Sequence, residues 1–221
     1  MTVALTLPAA AAAQVTVLSA RLTADLTVAD GSASVMVEYR LSGAVPGTAL
    51  PATVLDFGLA TVEDLRVGEA SEPVPLGDAQ GVAHEAELPV EATDRADVSR
   101  VVVRYRVPSV VTTEDGRLRG RIPVLTVDRP PAEPGPGLFV ARVRLPQAWR
   151  VTETFPTGLA EVDGAGTYEV RLSVVPAVVG FRARGDGGRT PGMPVVLDVL
   201  AAGIMGLFVL LGWRHLRRVA A

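Results

Sequence analysis

Cysteine and lysine are both missing from this chain. Without cysteine there can be no disulfide, thiolate nucleophile, cysteine-ligated zinc or lipid-modified cysteine, so the fold must rest on packing. Without lysine, arginine supplies all 21 basic charges. Together with abundant Ala, Val, Gly and Pro, we read this as GC-rich coding bias rather than a binding signature. Histidine is nearly absent too: His84 and His215 are the two. Neither a P-loop, a dinucleotide fingerprint nor a Gly-x-Ser-x-Gly elbow occurs. A net charge of −3 lacks the strongly basic face that nucleic acid requires.

Aromatic residues make up 5% of the sequence, too few for the platforms of exposed rings that carbohydrate recognition uses. Trp149 alternates in phase with Val151 and Phe155, which predicts that all three face the core.

The body reads as β-structure. Leu18, Ala20, Leu22, Ala24, Leu26 and Val28 alternate with mostly polar residues, and Ala33, Val35, Val37, Tyr39 and Leu41 do the same. Asp30-Gly31 between them predicts a two-residue hairpin turn. That turn sets Leu26 opposite Val35, Ala24 opposite Val37 and Leu22 opposite Tyr39. Further short runs occur at 54–57, 62–67, 82–90, 98–107, 138–145, 149–155, 167–175 and 178–183, with turn residues between. Many short strands at this spacing predict an immunoglobulin-like antiparallel β-sandwich over 14–184. Two small domains divided near 130–137 are the alternative.

The ends predict a membrane protein. Residues 1–13 resemble the remnant of a signal peptide, with Ala11-Ala12-Ala13 as the cleavage site and a start codon placed too late. Gly- and Pro-rich residues 185–193 read as a stalk. Residues 194–213 read as a single transmembrane helix; Val195 to Trp213 would span about 28 Å. The basic tail 214–221, with Arg214, Arg217 and Arg218, would lie in the cytoplasm. The sequence thus predicts a bacterial envelope module anchored in the bilayer, its body outside the cytoplasmic membrane. Asp198, Ala202 and Gly206 fall on one helical stripe where another membrane helix could pack.

Charge is segregated along the chain. From Asp56 to Asp97, eleven acidic residues face Arg66 and Arg95; from Arg100 to Arg121, six arginines face Glu114 and Asp115. Arg100, Arg104 and Arg106 share one strand face, and Arg117, Arg119 and Arg121 another. Brought together they would form a basic stripe, either a solvated face or a docking surface for an acidic partner or lipid headgroups. His84 alternates with Val82, Ala86 and Leu88 and reads as structural. Glu91, Asp94 and Asp97 could offer oxygen ligands, but no calcium-loop spacing accompanies them. No cofactor or metal site is expected. The function expected is a binding or accessory subunit of an envelope complex. The alternatives are a hydrolase using carboxylates or His84, and a purely structural envelope protein.

Overall fold

The computed structural model describes residues 14–26, 31–56, 61–69, 72–77, 82–90, 98–114, 117–146 and 149–185. Its strands are β1 (Thr16–Asp25), β2 (Ala33–Ser42), β3 (Ala49–Leu55), β4 (Glu63–Val67), β5 (Ala83–Pro89), β6 (Val98–Val107) and β7 (Val111–Glu114). They continue as β8 (Arg117–Pro123), β9 (Thr126–Val127), β10 (Phe139–Arg144), β11 (Trp149–Phe155), β12 (Ala160–Glu161), β13 (Thr167–Leu172) and β14 (Val178–Gly185). Three sheets result. The largest runs β12-β13-β10-β1-β2-β6-β4, the second β11-β14-β8-β7 and the third β5-β3-β9.

Period-2 patterning builds the large sheet. Leu22, Ala24, Val35, Val37, Tyr39, Val101, Val103, Tyr105, Phe139, Ala141, Val143 and Val170 all project to one buried face. Their β-branched and aromatic side chains suit a pleated, closely packed surface. Leu50, Val54 and Leu88 of the third sheet, and Ile122, Val179 and Phe181 of the second, join the same core cluster. Tyr39 and Tyr105 reach across it: the Tyr39 hydroxyl donates to the Leu125 carbonyl, and the Tyr105 hydroxyl to the Pro123 carbonyl at 2.6 Å. Burial, first, drives both phenols well above their ordinary pKa, and for Tyr39 the neighbouring Tyr105 adds to it.

The expected immunoglobulin-like antiparallel sandwich requires correction. The large sheet is mixed, because β1 pairs in parallel with β10, Ala20 beside Phe139 through Asp25 beside Arg144. The 130–137 segment is stitched to β1: the Val17 amide donates to the Pro130 carbonyl and the Ala132 amide to the Val17 carbonyl, each at 2.9 Å. The β1–β2 register also differs from the hairpin expectation. Leu22 faces Val37 and Ala24 faces Val35, a shift of two residues. The connection is longer than the Asp30-Gly31 turn would make it, and an even shift keeps every apolar residue on its face.

Among the described residues no helix occurs, and so none is long and apolar enough to cross a membrane. The expected single-pass anchor, the bilayer and a membrane helix as partners, the placement of the body outside a cytoplasmic membrane and the envelope-subunit role built on them are corrected to that statement: the described residues supply no membrane-crossing helix. The signal-peptide expectation at 1–13, the stalk beyond Gly185, the segment 194–213 with Asp198, Ala202 and Gly206, and the tail 214–221 lie outside the described residues.

Candidate functional site

The arginines of β8 sit on the second sheet. Its pairing sets Phe181 opposite Gly120, Arg182 opposite Arg119 and Gly180 opposite Arg121. On the other side of β14, Glu153 faces Arg182, Phe155 faces Gly180 and Arg150 faces Arg184. Since side chains alternate across a strand, Ile122, Val179, Phe181 and Ala183 point into the core. Arg117, Arg119, Arg121, Arg182, Arg184 and Arg150 share the outer face.

A β-bulge shapes one side of this face. The β11–β14 register shifts between Val151 and Glu153, and the extra residue reverses the phase of the strand beyond it. Trp149 and Val151 pack against the core as the alternation predicts. Phe155, expected beside them, is instead turned outward and is 64% exposed. Gly180 carries no side chain between the Phe155 ring and Arg121. The result is a groove of about 450 Å³ lined by Arg119, Arg121, Glu153, Phe155, Val178 and Arg182, among others.

The charges lining the groove are unevenly matched. Arg182 Nη1 lies 2.6 Å from Glu153 Oε2. Among the described residues, no carboxylate pairs with Arg119 or Arg121. An unpaired guanidinium beside a shallow apolar slot offers fork-like donors suited to a carboxylate.

The arginines of β6 lie elsewhere, on the outer face of the large sheet, so the two sets do not merge into one stripe. Arg100 Nε lies 3.0 Å from Glu38 Oε1, the Arg104 guanidinium donates to the Gly68 carbonyl, and Arg106 Nη2 reaches Ser32 Oγ at 3.4 Å. They tie neighbouring segments together. Arg182, Arg184 and Arg150 were not singled out by the sequence, because only the β8–β14–β11 pairing brings them beside Arg119.

His84 is held in place. Its Nδ1 lies 3.2 Å from the Gly77 carbonyl oxygen and its Nε2 3.8 Å from Asp56 Oδ2. No hydroxyl of a described residue bonds to the ring. Glu91, Asp94 and Asp97 lie outside the described residues. Among the described residues, no group of three or more His, Asp or Glu is placed to hold a metal ion. A second groove, about 650 Å³, opens on the third sheet and carries the opposite charge through Glu85, Glu87 and Asp128.

No protein-family model and no curated protein matches the chain. Among solved structures it is similar to leukotriene A4 hydrolase from Saccharomyces cerevisiae, at 14% identity and a TM-score of 0.45, over 78% of this chain and 29% of that one. It is also similar to an M1 zinc metallopeptidase from Deinococcus radiodurans, at 15% identity and a TM-score of 0.41, over 77% of this chain and 42% of that one. This chain therefore spans less than half the length of either protein.

Proposed function

We propose that this chain is a non-catalytic binding module that docks an acidic protein partner on the outer face of its second sheet. One observation carries the reading. Arg119 and Arg121 border a groove and have no carboxylate partner among the described residues, whereas Arg182 beside them is tethered by Glu153. Arginines that merely brace a sheet behave as Arg100 and Arg104 do, each engaged with its own chain. The lack of a clustered metal-ligand set among the described residues, and the engagement of His84 with Gly77, favour binding over chemistry.

Binding of a fluorescent decaglutamate peptide tests the reading. The protein should bind it at low salt, more weakly near 0.15 M, where the screening length is about 8 Å, and should not bind decalysine. The double charge reversal Arg119→Glu/Arg121→Glu should abolish binding while leaving the circular dichroism of the fold intact. Unchanged binding by that variant sinks the reading.

A further inference from the structure

Resting on that reading, we infer that the groove takes an extended segment with carboxylates two residues apart and an apolar residue two further along. The order is acid-x-acid-x-apolar, in either chain direction. The spacing comes from β8. Arg117, Arg119 and Arg121 stand at two-residue steps on one face, so their roots are about 6.6–6.8 Å apart. An extended ligand repeats its same-face side chains at that interval. A helix instead presents facing residues three and four apart, about 5–6 Å between Cβ atoms, on a row that winds away from a straight strand.

The apolar position comes from the rows beyond. Arg119 is paired across the sheet with Arg182, so one carboxylate there meets two guanidiniums, of which Glu153 already engages one. The next row is Arg121, Gly180 and Phe155. The last holds Val178, an uncharged residue that lines the groove one row beyond Phe155; its partner Pro123 is buried. At Gly180, a Cβ would stand 3.8 Å from the Cβ of Phe155 and 3.5 Å from the Gly120 carbonyl oxygen. Any larger residue there would begin to close the slot. Phe155, turned out by the bulge at the price of 64% exposure, supplies an apolar wall that nothing in the described chain covers. Guanidiniums on β8 that are free among the described residues, and an uncovered ring on β11 where Glu153 is already engaged by Arg182, thus specify an acidic segment with one apolar residue.

Three peptides of equal length test this by fluorescence anisotropy on the full chain. They are an alternating peptide (Ser-Glu-Ser-Glu-Ser-Leu-Ser), an isomer with adjacent glutamates (Ser-Ser-Glu-Glu-Ser-Leu-Ser), and the alternating peptide with Leu replaced by Ser. The alternating peptide should bind about five-fold tighter than its isomer, the difference one partly exposed ion pair makes. Arg121→Gln should remove that margin. Phe155→Ser, a change at an exposed position, should erase the preference for Leu over Ser while leaving the margin between isomers.

If the isomers bind equally and both are lost in Arg119→Glu/Arg121→Glu, the spacing is overturned while the docking reading stands. If no acidic peptide binds, or the double reversal changes nothing, both fall. Phosphatidylserine vesicles bound as tightly as the peptide and released by the same reversal would overturn the inference in favour of a lipid surface. Sedimentation showing self-association that the reversal abolishes would overturn it in favour of a second copy of this chain.

Discussion

The ring of Phe181 lies directly over Gly120, its cross-strand partner, so closely that a methyl group on Gly120 would stand 2.2 Å from Cζ. The ring fills the space the glycine leaves, and Phe181 is 3% exposed as a result. Gly120→Ala must displace a buried ring, an overpacking change of about 1–3 kcal/mol. Urea unfolding should show that loss. Combining it with Phe181→Leu should cost less than the sum of the two single changes, because the smaller side chain relieves the clash. Additive costs would mean that the ring and the glycine do not meet.

Tyr39 and Tyr105 act together on the segment that joins β8 to β9. Tyr39→Phe or Tyr105→Phe leaves a buried carbonyl, of Leu125 or Pro123, without its donor. Each change should cost about 1–3 kcal/mol in chemical denaturation. If either costs nothing, the segment is held by other contacts.

The same two phenols predict alkaline sensitivity. Their folded pKa is raised above the unfolded value near 10. Between those values the unfolded chain binds fewer protons, so stability is fully present below about pH 10 and falls as pH rises above it. Thermal unfolding from pH 8 to 11 should show this decline, less steep in the Tyr39→Phe variant. An identical decline would place its cause elsewhere.

Glu169 predicts a smaller effect on the acid side. Its side chain is 9% exposed and is gripped by Arg142 Nε at 2.7 Å and Arg171 Nε at 2.8 Å. The hydrogen bond from Arg142, then that from Arg171, holds its carboxyl below the ordinary value. Its contribution is therefore present above about pH 4.3, the unfolded value, and is lost as pH falls through the lowered folded one. Both arginines are more than half exposed, so Glu169→Gln should cost no more than about 1 kcal/mol at neutral pH. The gap to wild type should close as pH falls below about 4.3 and through the lowered folded value. A gap that persists at low pH would assign the loss to packing instead.

Strands were legible where alternation is local. The runs at 98–107, 149–155 and 178–183 reappear as β6, β11 and β14 with little change at their ends. What alternation cannot encode is the partner. Leu22 and Ala141 both announce a buried face, but nothing in either run says that they lie side by side in parallel. A bulge is equally silent: one extra residue between Val151 and Glu153 moves Phe155 from core to surface without altering the apolar pattern that suggested otherwise. For the candidate surface, the shared face of Arg117, Arg119 and Arg121 was readable along one strand. The addition of Arg182 and Arg184 was not, since it depends on a pairing between segments about sixty residues apart.

The parallel seam also governs the order of assembly. Strand β1 is the middle strand of the large sheet, yet residues 26 to 138 separate it from the strand that covers its second edge. At ordinary translation speeds that interval is on the order of ten seconds. Throughout it, β2 can shield one flank while the other presents bare amides and carbonyls to any passing strand. A nascent copy on the ribosome is therefore most vulnerable to mispairing before β10 is made, and release from that hazard waits for Phe139–Arg144 to emerge.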